Sequence, residues 1–437
     1  MLVRDCKSLE WVSELQLQDN FDQAHPSKYL SLDLVDVSEL YHLEVIDLGR
    51  RKKHTKCGVL ILPRGREREF MFSDPEGQKS LAEQSGFSRL IIVSILQVEP
   101  ISMEQVQKQL NPYVRLLCFR DSDKVPYLTL GDSLGIREIL FHRDGILIED
   151  VKTDEKQETW FRRMIFDSRP SLIQTECVLD EKKQVIYQHL SSGYQKVIVS
   201  AIAGLSATKA CGSRCLLVGL GGGSLPMFLN QFVSKCALDI VELDPQVFEM
   251  AKKFFGFIPD DNRLRVHIYE GCSFIRDLYS KDHEERQDFD AIIIDVDTKD
   301  ASSAMSCPPG TFVEKSFLEC VQQCLSPDGA LIINLSCRLE SSKKSVIDSL
   351  SQVFSQVYLV KVDDDVNEIV IASGPALDAA ESFCESSITQ GIDGLCGDSI
   401  RTALSLLLKS VAKRSKLSHS NHGKFSKGGR GKTKRKK

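Results

Sequence analysis

The chain has 437 residues, 42% hydrophobic and 27% charged, which is enough apolar material for two domains of ordinary size and too much for a disordered chain. Its fourteen cysteines form no CxxC pair, and the nearest spacings, Cys211/Cys215 and Cys320/Cys324, lack the neighbouring His or Cys of a zinc site, so reduced thiols and no metal are expected. The net charge of −5 hides an asymmetry: Lys413 to Lys437 holds eleven Lys or Arg and no acid, leaving −16 for the rest.

Charges interrupt the N-terminal MLVRDCKSLEWVSEL where a signal peptide needs an apolar core, and no window approaches the ~20 apolar residues of a membrane span. A soluble intracellular protein without membrane contact is expected, cytoplasmic by default. From 1 to about 145, strand-type runs at Tyr41–Leu48, Gly58–Leu62, Leu90–Leu96 and Val114–Phe119 interleave with helical stretches at Pro75–Ser85 and Met103–Leu110, a small α+β region with no readable chemistry. Its basic segment from Arg50 to Lys56 lies between two strand-like runs, which favours a solvated hairpin tip over a binding patch.

A second domain is expected from 146 to 395. It opens with a small antiparallel sheet, Ile146–Val151, Thr159–Phe166 and Leu172–Val178, and an apolar helix over Tyr194–Leu205. An α/β core follows: strands Cys215–Gly219, Leu238–Leu243, Leu264–Tyr269, Ala291–Val296 and Ala330–Leu335 alternate with helices Pro245–Phe255, Cys272–Tyr279 and Val313–Cys324. Such alternation predicts a mainly parallel, Rossmann-like sheet. Val357–Val362 and Glu368–Ala372 are joined by only Asp363 to Asn367, too short for a parallel crossover, so they must form an antiparallel hairpin. That ending suits a class I methyltransferase better than a nicotinamide-dependent dehydrogenase. Residues 396–437 read as a helix end and a disordered, Gly- and Ser-rich basic tail, either a nuclear address, an RNA-contacting arm, or a solubilising tail with weak polyanion contact.

Gly219, Gly221, Gly222 and Gly223 link an apolar strand to a helix, a geometry that lets backbone approach a cofactor, with Ser224 and Pro226 suited to the helix start. The next strand ends Val241-Glu242-Leu243-Asp244, placing Glu242 twenty-three residues after Gly219, near the ~20 expected for a carboxylate on ribose hydroxyls. Glu270-Gly271-Cys272 ends the third strand, where an adenine contact belongs and where the Cys272 backbone N–H is the better donor. In the fourth, apolar residues stop at Asp295 and Asp297. Carboxylates at this switch point suit proton acceptance from an attacking amine, Asp295 before Asp297. The competing reading makes one of them a cap for the following loop.

Leu216–Phe228, Glu242–Pro245, Asp295–Asp300, Met305–Pro309 with Phe312, Phe161–Phe166, Gln174, and Phe72–Lys79 with Gly86 and Phe87 together resemble the methyltransferase-like protein 13 family, over roughly residues 40–375. That resemblance implies a linker region plus the C-terminal domain of a dual methyltransferase of translation elongation factor 1-alpha. It implies S-adenosyl-L-methionine as cofactor, the factor's N-terminal α-amino group as target, and Gln174 as a contact to the cofactor's methionine part. A second glycine loop for the family's lysine-modifying domain is absent from this sequence. The C-terminal domain is also similar to spermidine synthases, but Lys196 and Thr298 stand where those enzymes carry acids, which disfavours a dicationic polyamine. Aminopropyl transfer, and a silent cofactor-binding module, are the alternatives.

Overall fold

The computed structural model describes residues 2–3, 28–36, 39–48, 57–96, 98–99, 101–118, 125–130, 134–152, 159–169, 172–260, 262–281, 288–298, 305–337, 339–362, 367–392 and 406–407. The basic segment 50–56, the tail from Lys413, Asp300 and most of the 363–367 connection lie outside them. The chain divides into two compact units, Met1–Val185 and Ile186–Lys437. That division falls later than the boundary at 145/146 read from the sequence, and the small antiparallel sheet is grouped with the N-terminal unit.

In the first unit, β1 (Leu2–Val3), β2 (Lys28–Asp36), β3 (Glu39–Asp47), β4 (Cys57–Leu62), β5 (Arg89–Ile95) and β6 (Tyr127–Thr129) form one mixed sheet in the order β1-β2-β3-β5-β4-β6. Helices α1 (Phe70–Ser73) and α2 (Pro75–Ser85) belong to one face, where Phe72 and Ala82 join Leu60, Leu62, Leu90 and Ile92 in a small core. The other face carries α3 (Met103–Leu117).

Here one sequence expectation fails. Within the expected strand Val114–Phe119, whose last residue lies outside the described ones, Val114 to Leu117 are helical, because α3 runs on through Pro112 to Leu117. Its buried residues Val106, Leu110, Tyr113, Val114 and Leu117 follow the helical three-to-four spacing, so the apolar run is the end of an amphipathic stripe and not a period-two pattern. Ser102 and Gln105 close a capping box at the start. At the other end the Arg89 guanidinium, paired with Asp47, donates to the Leu117 carbonyl, so side-chain donors and tertiary burial offset the hydrogen bond that proline removes.

Also in this unit, β7 (Ile136–Arg143), β8 (Ile146–Lys152), β9 (Trp160–Phe166) and β10 (Ile173–Leu179) make an antiparallel meander. Fully buried Glu149 on β8 takes Arg68 at 2.9 Å and Arg137 at 3.1 Å, while Arg163 on β9 reaches the Gly65 carbonyl. These ion pairs clamp the meander to the segment after β4. Removing one partner strands the others in a dry site, so Glu149→Gln is expected to destabilise the first unit by roughly 3 kcal/mol, measured by urea unfolding; an unchanged midpoint would remove the clamp from the account.

The second unit begins with β11 (Val185–Leu190, its first residue at the division) and α4 (Gly193–Ala207). Helix α4 is apolar nearly all round, with Val197 to Ser206 continuously buried, as a helix enclosed by core must be. The main sheet comprises β12 (Ser213–Val218), β13 (Cys236–Glu242), β14 (Leu264–Ile268), β15 (Phe289–Ile294), β17 (Leu325–Cys337), β18 (Gln356–Lys361) and β19 (Glu368–Ser373), in the order β14-β13-β12-β15-β17-β19-β18, with β16 (Met305–Cys307) pairing β17 off this path. The first five run parallel. The expected terminal hairpin is present, and β19 inserts antiparallel between β17 and β18.

Helices α5 (Ser224–Phe232), α6 (Pro245–Phe255), α7 (Gly271–Ser280), α8 (Lys315–Gln323) and α9 (Glu340–Val353) complete the crossovers, and α10 (Ala379–Ser382) and α11 (Glu385–Gly391) follow. The alternate positions of each strand feed two cores, Leu217, Ile240, Ile293 and Ile332 on one face and Leu216, Val241, Ile292 and Ile333 on the other, the pattern of a sheet covered on both sides. The helix expected over Val313–Cys324 is present as α8, preceded by a short 3-10 turn, Gly310–Val313. None of the described helices is long and apolar enough to cross a membrane.

Candidate functional site

The carboxyl ends of β12, β13, β14 and β15 meet around the glycine loop, at the switch point where an open α/β sheet binds its ligands. After β12 the chain turns at Gly219, whose N–H donates to Val241 O at 2.9 Å, while Asp295 N donates to Val218 O at 2.9 Å. Gly219 has φ +102°, and a Cβ there would lie 2.0 Å from the Asp295 carbonyl oxygen, so only glycine fits. Gly221 and Gly223 also have positive φ, 55° and 81°; Gly222 between them is buried. Gly223, not Ser224, holds the cap position, and Ser224 is the first residue of α5. The four N-terminal amides of a helix lack intrahelical partners, and here the positive end of α5 faces the loop.

Glu242 ends β13 with little exposure. Its Oε2 accepts from Leu220 N at 3.0 Å and its Oε1 from Asp244 N at 2.9 Å. Burial pushes its pKa above the usual carboxylate range, and those N–H groups pull against the rise. The carboxylate therefore ties the glycine loop to the next turn, and with three backbone N–H groups on it it retains lone-pair capacity for one further donor. Leu243 beside it is 60% exposed, an apolar surface at the crevice edge.

Glu270 is a helix cap. Its two oxygens accept from Cys272 N at 2.9 Å and Ser273 N at 2.7 Å, and although burial opposes ionisation, these bonds hold its pKa below the usual value. The Cys272 N–H expected to face adenine is thus engaged by Glu270, because an Asp/Glu at this spacing satisfies orphan amides of α7. Gly271 lies against Val218 and Phe312, where a Cβ would come within 2.5 and 3.2 Å. Cys272 Sγ contacts Thr311 at 3.8 Å.

Asp295, just past β15, is partly buried and gripped from two elements. Asn334 Nδ2 on β17 donates to Oδ1 at 2.8 Å, and Tyr194 OH on α4 reaches Oδ2 at 3.4 Å. Burial raises its pKa to about 6 against those two donors, with Asp297 adding repulsion. A carboxyl poised there exchanges protons near neutrality. Asp297 follows two residues later, where Thr298 N donates to Ser306 O at 2.8 Å. Lys196 on α4 is half-buried, and burial lowers its ammonium pKa.

The structure therefore places Gly219–Gly223, Glu242, Leu243, Glu270, Gly271, Cys272, Asp295 and Asp297 along the carboxyl edge of four neighbouring strands of the second unit. Gln174 lies on β10 of the first unit. Two residues escaped the sequence reading as members of the site, Tyr194 and Asn334. A lone Asn inside the apolar run Ala330–Leu335 was the available signal, since a buried amide needs partners.

Residues 193–363 match the family described as the spermine/spermidine synthase domain. The chain is 35% identical over 388 residues to the human protein named eEF1A lysine and N-terminal methyltransferase, covering 78% of this chain and 55% of the human one. Its Xenopus laevis counterpart is 32% identical over 411 residues, 83% and 58% of the two chains. A Vibrio vulnificus polyamine aminopropyltransferase is 27% identical over 267 residues, 60% of this chain and 79% of that one. Among solved structures, human methyltransferase-like protein 13 in complex with SAH shares 32% identity with a TM-score of 0.41, covering 51% of this chain and 93% of that one. A probable spermidine synthase from Corynebacterium glutamicum shares 19% with a TM-score of 0.43, covering 61% and 93%. The chain spans little more than half the length of the eEF1A lysine and N-terminal methyltransferases to which it is similar.

Proposed function

We propose that the second unit is an S-adenosyl-L-methionine-dependent methyltransferase acting on an amine of a protein, with the N-terminal α-amino group of elongation factor 1-alpha as target. The observation that carries this reading is the pairing of the Gly219 loop with Asp295, a carboxyl of pKa about 6 whose backbone carbonyl the loop abuts. Gly219 and Gly223 let the loop lie tight on the protein, where a Cβ would come within 2.0 Å of the Asp295 carbonyl oxygen and 2.6 Å of the Phe257 ring, Glu242 has lone-pair capacity for a ribose hydroxyl, and Leu243 offers an apolar surface to a base. These residues fit the cofactor. When bound, it supplies an activated methyl whose C–S bond breaks as the new C–N bond forms, leaving a thioether. The chain's own part is to hold the amine unprotonated, exclude water and accept its departing proton at Asp295.

The names of the human and Xenopus relatives support the choice of substrate, and a cytoplasmic location goes with it; the basic tail leaves a nuclear address and RNA contact as further proposals. Aminopropyl transfer is the second reading, favoured by the synthase domain match. Lys196 and Thr298, in place of acids, oppose a dicationic acceptor.

Transfer of labelled methyl to elongation factor 1-alpha with a free or an acetylated N-terminus separates the possibilities. Label on the free form alone is the expected result. Equal label on both moves the activity to lysine, and spermidine formed from putrescine and decarboxylated cofactor, with the methyl left behind on methylthioadenosine, establishes the synthase reading. Glu242→Ala is expected to weaken cofactor binding at least tenfold by calorimetry, since it removes a ribose acceptor and frees the loop amides.

A further inference from the structure

Asn334 sits on β17 with 3% of its surface exposed, on the same face of the sheet as Ile332, which packs in the core beneath α4. Its Nδ2 is committed to Asp295 Oδ1 at 2.8 Å. Its Oδ1 is buried and has no hydrogen-bond partner. The orientation of the amide is fixed by chemistry, because turning it over would set a carbonyl oxygen against a carboxylate. A buried acceptor without a donor costs about 1–3 kcal/mol, a cost a fold accepts at a site where a ligand supplies the missing donor. The two atoms of one amide are geminal, so the orphan oxygen lies in the immediate neighbourhood of the Asp295 carboxylate.

We infer that Asn334 is a positioning residue for the acceptor amine, holding Asp295 in register through Nδ2 and offering Oδ1 to an N–H of the incoming nitrogen. The inference rests on the methyltransferase reading above and deepens it. A neutral primary amine attacks with its lone pair and has two N–H bonds left to direct. Asp295 accepts one and Asn334 Oδ1 the other, which leaves the lone pair a single direction. After one methyl has been added only one N–H remains, and after two there is none, so the second acceptor matters most in the first transfer. The site is accordingly built for a primary amine as its starting substrate, and the advantage given by Asn334 declines with each methyl gained.

The groups facing Asp295 are Asn334 from β17, Tyr194 from α4, and Asp297 on its own loop. Deleting the Asn334 donor removes a bond that favours the carboxylate, so the acid limb of the rate profile must move to higher pH.

The test uses the full chain, wild type, Asn334→Leu and Asn334→Asp, with synthetic peptides bearing a free, a monomethylated or a dimethylated N-terminal amine. For Asn334→Leu the expected result is about a tenfold loss of kcat/KM on the free amine, a smaller loss on the monomethylated peptide and least on the dimethylated one, with cofactor affinity unchanged. The acid limb should rise by about one pH unit in Asn334→Leu. In Asn334→Asp, which keeps an acceptor but adds a like charge, it should rise further, and activity should recover at higher pH. Equal losses on all three peptides with an unmoved acid limb would overturn the inference, leaving Asn334 a packing residue. Absence of transfer by the wild type, with cofactor bound, would instead overturn the methyltransferase reading itself, and melting curves of both variants identify a folding failure.

Discussion

Replacing Asp295 with Asn is expected to lower methyl transfer by 10²- to 10⁴-fold, the range for loss of a general base that also faces developing positive charge, while cofactor affinity stays within a few-fold of wild type. The variant should also be the more stable protein at neutral pH. Asp295 has a folded pKa of about 6, raised by burial from its usual 3.8. A carboxyl with a raised folded pKa binds its proton more tightly when folded. Its favourable contribution is therefore complete below the unfolded pKa and is lost as pH rises through the folded one. Above pH 6 the buried carboxylate is a net cost, which Asn removes, so Asp295→Asn should gain roughly 1–3 kcal/mol at pH 7 and almost nothing near pH 3. Thermal melts at the two pH values check the sign. In the wild type, kcat/KM should fall about tenfold per unit below pH 6. A variant that is inactive and equally destabilised at both pH values would make Asp295 structural.

The second large effect is at Gly219. Gly219→Ala should abolish measurable cofactor binding and cost the second unit roughly 3 kcal/mol or more, combining about 1–2 kcal/mol for a left-handed side chain with a Cβ placed 2.0 Å from the Asp295 carbonyl oxygen. Gly145→Ala is the control, because its φ is +77° yet nothing lies within 4 Å of the added carbon; it should cost only about 1 kcal/mol. Equal costs at the two positions, by urea titration, would show that the loop yields and that the contact with Asp295 does not fix it.

The same close approach explains why so much of the site was legible. A strand, a glycine turn and a helix in immediate succession leave few geometries, and Glu242 and Asp295 each end an apolar run, so their positions at the sheet's carboxyl edge follow from the pattern. Order of the last strands was legible as a hairpin because five residues cannot form a crossover. What period and spacing do not encode is who occupies whose lone pairs. Spacing placed Glu270 at the sheet edge but not its role as the cap of α7, which engages both oxygens and takes up the Cys272 N–H. Tyr194 and Asn334 act from α4 and β17, far from Asp295 in sequence, and only tertiary packing brings them to it. In the first unit the strand-type run from Val114 failed for the converse reason: its apolar residues continue the buried stripe of α3, and Arg89 on a distant strand completes the helix end.

Strand β19 is the last element of the main sheet in the chain, yet it lies between β17 and β18, with Ile369 to Ala372 fully buried and paired on both sides. During synthesis, everything up to Lys361 leaves the ribosome before the strand that must fill the gap. Until then β17 and β18 each present an open edge of unpaired amides and carbonyls, the surface on which chains aggregate. The second unit can thus close only after its last strand is made, so a ribosome that stalls before Glu368 leaves the glycine loop and acids on a five-stranded sheet whose β17 edge is still open.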